Sequence, residues 1–334
     1  MRAAQLTGAF GLDAVTIQQA PESPLEPGQV RIRVEAVSLN YRDLLIAKGL
    51  YTKKLPFPLT ICSDCAGTVI ETGPGVTRVA TGDRVSPCFM PDWISGPVTD
   101  AAARGALGAF ANGVLAETIV MKETALVHVP AHLSPEEAAT LPCAGVTVWH
   151  ALIVRCGLKA GDTVLTLGTG GVSLFAVQIA TMLGARAVIL SSSDEKLERA
   201  RALGAVDGIN YTTTPEWDAE LKKRGIVPDH VIEVGGTATL AKSIKCVRMG
   251  GNLALIGNVS GGGDTNIIPA FMKNLSLHGV FVGSRDMFEA LNASVSAHTM
   301  KPVVDQVFPF EDAPAAMRHM ESGKHFGKVV IRVS

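Results

Sequence analysis

Residues 162–191 read DTVLTLGTGGVSLFAVQIATMLGARAVILS, and their interpretation sets the fold of everything around them. The run 162–167 is rich in β formers, 172–183 is a helix apolar on nearly all sides, and 184–191 is a second strand. Between the first strand and the helix lies Gly168-Thr-Gly170-Gly171-Val172-Ser173. A G-x-G-x-x-G-like string carries little weight alone, and here its last position is Ser. Inside a strand–turn–helix–strand unit it predicts a pyrophosphate cradle. Gly168 permits the tight turn and Gly170 lets backbone approach the ligand. The helix start, with Gly171 and Val172, offers N–H groups and the positive end of its dipole. Ser173 stands where a third glycine allows close helix–strand packing, and it is small enough to substitute. The alternative is a Gly-rich turn with no ligand.

Downstream, the text keeps alternating between strand and helix. Residues 193–204 form a helix capped by Ser193 or Asp194 and closed by Gly204. The runs VDGINY, PEWDAELKKRG, DHVIEV, TATLAKSIKCVRMGG and NLALIG follow in turn. This predicts a parallel, doubly wound sheet over 144–280. At the tip of its second strand, where an NAD site usually carries an acid for the ribose 2′-hydroxyl, stand Ser191, Ser192 and Ser193, with Lys196 just beyond. Hydroxyls and a lysine suit a 2′-phosphate, so NADP(H) is expected over NAD(H). The bland reading makes Ser193 a helix cap and Lys196 a solvated side chain.

The first 143 residues have a different texture. In 30–37, VRIRVEAV, Val30, Ile32, Val34 and Ala36 alternate with Arg31, Arg33 and Glu35, a half-buried strand. Gly/Pro clusters at 21–28, 72–75 and 81–83 punctuate further short strands, which suggests an antiparallel barrel or sandwich. The tail, 281–334, ends in KVVIRV and is expected to return to this first domain, because a lone strand is unstable. The small-residue stretch 101–113 is expected to leave a cleft open or mobile.

Hydrophobic residues make up 47% of the 334 and charged residues 18%, with a formal net charge of −1. That balance excludes a basic field for nucleic acid or anionic lipid. The longest apolar stretch, near 171–183, is too short to span a bilayer, and the N-terminus carries no signal-like apolar region. A cytoplasmic protein with no membrane partner is expected. Six cysteines show no disulfide pattern. Cys62 and Cys65 make a C-x-x-C, but in a strand over 61–70 they would face opposite ways, and no second pair completes a metal site. Two small buried residues is the expected outcome.

Several stretches together resemble the medium-chain dehydrogenase/reductase superfamily, and within it the zinc-independent quinone oxidoreductase branch. They are AVSLNYRDLLIAKGLY (36–51), CAGTVIETGPGV (65–76), GDRV (82–85), AATLPCAGVTVWHAL (138–152), GDTVLTLGTGGVS (161–173), ALGA (202–205) and GKVVI (327–331). The resemblance implies a GroES-like β-barrel catalytic domain, 1–143 with 281–334, around a Rossmann domain. Zinc-using members carry a Cys, a His or nearby Glu, and a Cys where this chain has Asn40, Ser63 with Asp64, and Cys143. Only Cys143 remains a good ligand, and the structural zinc lobe keeps only Cys88, so no zinc is expected.

The same resemblance implies a set of site residues. Asn40 faces the nicotinamide, Asp43 organises the following turn, and Tyr51 stands at the substrate mouth; these are the catalytic candidates. For the cofactor it adds Thr147 at the nicotinamide amide, Tyr211 near the 2′-phosphate, and Asn258, Ser260 and Ser284 on the nicotinamide side. Each has a structural alternative: Asn40 as a helix cap, Asp43 as part of a buried turn, Tyr51 as a hairpin aromatic. His150 is read as a core histidine. The implied function is NADPH-dependent hydride transfer to a quinone or an α,β-unsaturated carbonyl, by a homodimer. An alcohol dehydrogenase, or a non-catalytic NADPH-binding protein, are the other readings.

Overall fold

The structure, a computed structural model, describes residues 1–259 and 265–334. The chain divides into two compact units, Met1–Val146 with Val282–Ser334, and Thr147–Phe281.

The first unit begins with eight strands: β1 (Arg2–Leu6), β2 (Thr16–Gln19), β3 (Gln29–Ser38), β4 (Leu59–Thr60), β5 (Asp64–Thr72), β6 (Arg84–Pro87), β7 (Thr118–Lys122) and β8 (Leu126–His128). Two short α-helices, α1 (Tyr41–Ala47) and α2 (Asp100–Arg104), interrupt them, and α3 (Pro135–Ala138) follows. On β3 the side chains of Val30, Ile32, Val34 and Ala36 are buried, as the alternation predicts. Past the register shift between Val34 and Ala36, Val37 and Ser38 are buried as well, so the period of two fails where the strand is covered on both faces.

The expected strand over 61–70 starts late. β5 begins at Asp64, and Cys62 sits before it at φ 67, a left-handed conformation uncommon outside glycine. Both Cys62 and Cys65 are buried and unpaired. The stretch 101–113 packs on a neighbouring segment. Ala102, Ala106 and Ala109 are buried, and Gly108 and Gly113 lie directly against the backbone of Cys62. Small residues are there because two chain segments touch.

A continuous helical run, 135–155, leads from the first unit into the second and contains α4 (Val146–Trp149). It is longer than the apolar stretch singled out from sequence, and long and apolar enough to cross a bilayer, but most of its apolar part is buried in the protein.

The second unit is a six-stranded, wholly parallel sheet: β9 (Thr163–Leu167), β10 (Arg186–Ser191), β11 (Ala205–Asn210), β12 (His230–Glu233), β13 (Asn252–Leu255) and β14 (Ser276–Gly279). Its order is β11-β10-β9-β12-β13-β14, so the strand sequence reverses between β9 and β12. In sheets of this kind the crevice at the carboxyl ends of the reversing strands is where ligands bind. The connecting helices are α5 (Gly171–Met182), α6 (Asp194–Ala202), α7 (Trp217–Lys223), α8 (Thr237–Cys246) and α9 (Ile268–Met272). Leu174 to Val177 are all buried on α5, as its all-round apolar sequence predicts.

The chain then returns to the first unit as α10 (Arg285–Ala297), β15 (Val304–Pro309), α11 (Ala313–Glu321) and β16 (Lys328–Arg332). β16 pairs antiparallel with β3 and parallel with β15, which places the C-terminal strand inside the first unit's seven-stranded sheet as its sequence predicts.

Candidate functional site

The first unit concentrates polar groups at the start of α1. Asn40 holds the N-cap position there, and Asp43 Oδ2 accepts its backbone N–H at 2.8 Å. That arrangement turns the chain sharply out of β3 and explains the spacing of three between the two residues. The Asn40 side chain also reaches across to other elements. Its Oδ1 accepts from the ammonium of Lys328 at 2.5 Å, and its Nδ2 reaches Ser63 Oγ at 3.4 Å. Ser63 in turn donates to Asp64 Oδ1 at 2.7 Å, and Asp64 Oδ2 accepts the backbone N–H of Cys143 at 2.9 Å. A chain of donors therefore runs from a cation to a carboxylate through an amide and a hydroxyl, all of it buried.

The electrostatics follow from burial. Desolvation pushes the Asp43 carboxyl up to about 6, against the backbone N–H of Asn40 and the charge of Arg42. Asp64 is raised by the same cause and is held down by Lys328, then by Asn40 and Ser63. The Cys143 thiol is pushed up by burial and by Asp64, which keeps it protonated.

Tyr51 lies apart from this chain, against Arg42. The Arg42 guanidinium lies 5.0 Å from the centroid of the Tyr51 ring and 4.7 Å from that of Phe89, and donates to the Leu107 carbonyl at 2.8 Å. The Tyr51 ring also tilts against Phe110 at 6.3 Å. Sequence reasoning missed Lys328 and Arg42. Lys328 was hidden in a strand whose text gave only its pairing. A lysine opening a short strand whose next three residues are all apolar was the one signal that could have found it.

In the second unit, Gly168 turns at φ 77, and neither it nor Gly170 would bring a β-carbon within 4 Å of anything. The cradle over the start of the twelve-residue α5 is therefore open, and the first turn holds no acidic side chain. Gly171 and Val172 begin that helix, and Ser173 is buried and donates to the Leu167 carbonyl at 2.6 Å. The serine thus fills the close-packing position and ties helix to strand.

At the tip of β10, Ser191 is buried and accepts the Ser193 N–H at 3.2 Å, whereas Ser192 is exposed. Ser193 caps α6, and Asp194 accepts from Asn210 at 2.9 Å. Lys196 is half-buried in the first turn of α6. Tyr211 is exposed, and its N–H donates to the Ser191 carbonyl at 2.9 Å. Asn258 is exposed beside Gly236, whose φ of 87 and missing side chain let the two meet: a β-carbon there would lie 2.0 Å from Asn258 Oδ1. Thr147 is buried at the first position of this unit. Ser284, in the first unit, caps α10 through Met287 N–H at 3.3 Å. Ser260 lies outside the described residues. His150 is buried and pairs with Arg155 at 3.1 Å, a core histidine as read from sequence.

These features match known proteins closely. Residues 26–131 fit the alcohol dehydrogenase GroES-like domain family, and 171–297 fit the zinc-binding dehydrogenase family. A zinc-type alcohol dehydrogenase-like protein of Schizosaccharomyces pombe is 43% identical over 318 residues, covering 92% of each chain. The chain belongs to the medium-chain dehydrogenase/reductase superfamily. Acryloyl-coenzyme A reductase of Metallosphaera sedula is 30% identical across 91% of this chain and 92% of its own. A crystal structure of an NAD-dependent alcohol dehydrogenase superposes with a TM-score of 0.91 at 33% identity, covering 100% of both chains. The protein is accordingly a nicotinamide dinucleotide-dependent oxidoreductase.

Members of this superfamily described as zinc-binding raise the question of a metal. Among the described residues no three His, Cys, Asp or Glu side chains converge. At the positions that the resemblance matches to zinc ligands, the Asn40 carbonyl is taken by an ammonium, the Ser63 hydroxyl is committed to Asp64, and the Asp64 carboxylate accepts from Ser63 and from the Cys143 N–H. A zinc site needs deprotonated donors aimed at one point. This set does not fit it. The dinucleotide does fit, at the open glycine turn of α5.

Proposed function

We propose that this protein is an NADPH-dependent reductase of quinones or α,β-unsaturated carbonyls that works without zinc. The observation carrying the reading is the Asn40 side chain, pinned between Lys328 and Ser63 where a metal-dependent enzyme needs a ligand. Without a Lewis acid, an isolated ketone is hard to reduce. A conjugated acceptor needs less help, because the incoming charge spreads to an oxygen remote from the reacting carbon. The relative named acryloyl-coenzyme A reductase supports this class.

A bound nicotinamide supplies the hydride. Gly168, Gly170, Gly171 and Val172 would hold the pyrophosphate, and Thr147, Asn258, Ser260 and Ser284 the nicotinamide side. Exposed Ser192, with Ser191, Lys196 and Tyr211, would receive the 2′-phosphate. Asn40 and the Tyr51 hydroxyl orient the acceptor's carbonyl oxygen and stabilise its growing charge. Asp43, bonded to the backbone of Asn40, is a positioning residue for that turn.

The test is NADPH and NADH oxidation across 1,4-naphthoquinone, enones, aldehydes and ketones, with elemental analysis of the same sample. Turnover of conjugated acceptors that survives EDTA supports the reading. Turnover of simple alcohols and ketones that follows bound zinc would replace it with an alcohol dehydrogenase. Tight NADPH binding without turnover would leave a binding protein.

Two further expectations attach here. Gly170 has φ −77 and open space around it, so Gly170→Ala is tolerated by the fold. The added methyl enters the cradle instead. Unfolding by urea is expected to be unchanged within about 0.5 kcal/mol, while NADPH affinity, read by fluorescence titration, falls tenfold or more. The sheet edge at β14 is flanked by exposed Ile267, Ile268, Phe271, Met272 and Leu277, with Phe271 72% exposed. An unpaired edge beside such a patch supports a homodimer. Sedimentation equilibrium is expected to give twice the chain mass, and Phe271→Glu to give monomer.

A further inference from the structure

Lys328 is a buried charged group that the reaction described above leaves without a task. It is 4% exposed on β16, and a cation so placed is retained only where its surroundings offset lost hydration. They do so here. The ammonium donates to the Leu39 carbonyl and to Asn40 Oδ1, and both Asp43 and Asp64 feel its charge.

The consequence falls on Asn40. A primary amide can be seated two ways round, carbonyl and NH2 exchanged, and in most sites little separates them. An ammonium has three donors and no acceptor, so it admits only one of them. With Oδ1 drawn to Lys328, the N–H edge is turned toward Ser63, whose own hydroxyl donates onward to Asp64. Positive charge on the carbonyl oxygen also polarises the amide and strengthens its N–H groups as donors.

We infer that Lys328 is a positioning residue that fixes the orientation of the Asn40 amide, carbonyl to Lys328 and N–H edge toward Ser63, and polarises that edge as the donor the reductase reading assigns to Asn40. The role given to Asn40 rests on the reductase reading; the orientation does not. Lys328 touches neither substrate nor cofactor in this scheme. It acts through Asn40 alone.

The test combines a double-mutant cycle with a spectrum. Lys328→Met keeps the side chain's length without its charge, and Asn40→Ala removes the amide. Each single variant is expected to lower kcat on a conjugated acceptor by about a hundredfold, with the NADPH dissociation constant within about twofold. The double variant is expected to be no slower than Asn40→Ala. Losses that multiply, or a Lys328→Met enzyme with full kcat, would overturn the inference. Should Lys328→Met fail to fold, Asn40→Asp takes its place: it gains an ion pair with Lys328, loses the N–H edge, and is expected to be stable but slow. Stable and fast Asn40→Asp would also overturn it.

The second arm needs no turnover. Selective 15N-asparagine labelling reports the Asn40 side-chain amide, which is expected as one shifted, exchange-protected pair in the wild type that collapses in Lys328→Arg or Lys328→Met. An unchanged spectrum in both variants would show that Lys328 does not orient the amide. Wild-type protein inactive on every acceptor would sink the reductase reading, while the spectrum would still decide the orientation.

Discussion

Glu233→Ala is expected to cost about 3–5 kcal/mol of stability and at least tenfold in affinity for the nicotinamide dinucleotide. Glu233 ends β12, next to the point where the parallel sheet reverses, and is buried. Its Oε1 accepts from Gly235 N–H at 2.8 Å, Gly236 N–H at 3.1 Å and Thr239 Oγ1 at 2.6 Å, while Oε2 accepts from Ser243 Oγ. Removing the carboxylate leaves four donors facing a cavity, each worth about 1–3 kcal/mol if dry and less where water enters. The same two glycine N–H groups set the turn that brings Gly236 against Asn258, so the loop proposed above to hold the nicotinamide loses its geometry along with its anchor. Glu233→Gln separates the effects. It keeps one acceptor oxygen and turns an NH2 toward Ser243, whose hydroxyl can reverse, so an intermediate loss is expected. Urea unfolding and fluorescence titration of the three proteins measure both. An alanine variant of wild-type stability would show that the turn holds itself.

Gly113→Ala is expected to abolish folded protein, a loss above about 4 kcal/mol. A β-carbon at this position would lie 2.0 Å from the Cys62 carbonyl oxygen and 2.4 Å from that of Ile61. Both are backbone atoms already held by hydrogen bonds, from Val114 N–H at 3.0 Å and Leu115 N–H at 3.1 Å. Gly113 itself donates to the Thr60 carbonyl at 2.7 Å. No rotamer change relieves such a clash, and backbone displacement would break the hydrogen bonds that join the two segments. Gly8→Ala serves as the control for yield, since a β-carbon there meets nothing within 4 Å, although its φ of 135 makes a modest loss of its own expected. Soluble yield and circular dichroism read the outcome. Folded Gly113→Ala protein would mean that the two segments are less tightly joined than their distances indicate.

The glycine turn, the alternating second unit and the terminal strand were legible because each is written in local text: β formers, small residues and helix signals in order. The 61–70 and 101–113 stretches were not. What decides them is one segment lying on another, and neither the left-handed Cys62 nor the need for glycine at 108 and 113 is visible in either segment alone. The same limit hid Lys328 and Arg42. Asn40, Asp43 and Ser63 could be named from a motif, but the cation that orders them comes from the opposite end of the chain.

That long-range bond also bears on synthesis. Lys328 and Leu39, joined by a hydrogen bond, are 289 residues apart in the chain. A ribosome adding about 5–20 residues per second needs roughly 15–60 s to make the second after the first. Throughout that interval β3 has no β16 beside it, and the polar turn at Asn40 has no counter-ion. The intervening second unit, contiguous in the chain, can fold meanwhile. The nascent first unit instead waits with an open sheet edge, which makes it the part that chaperones are expected to hold.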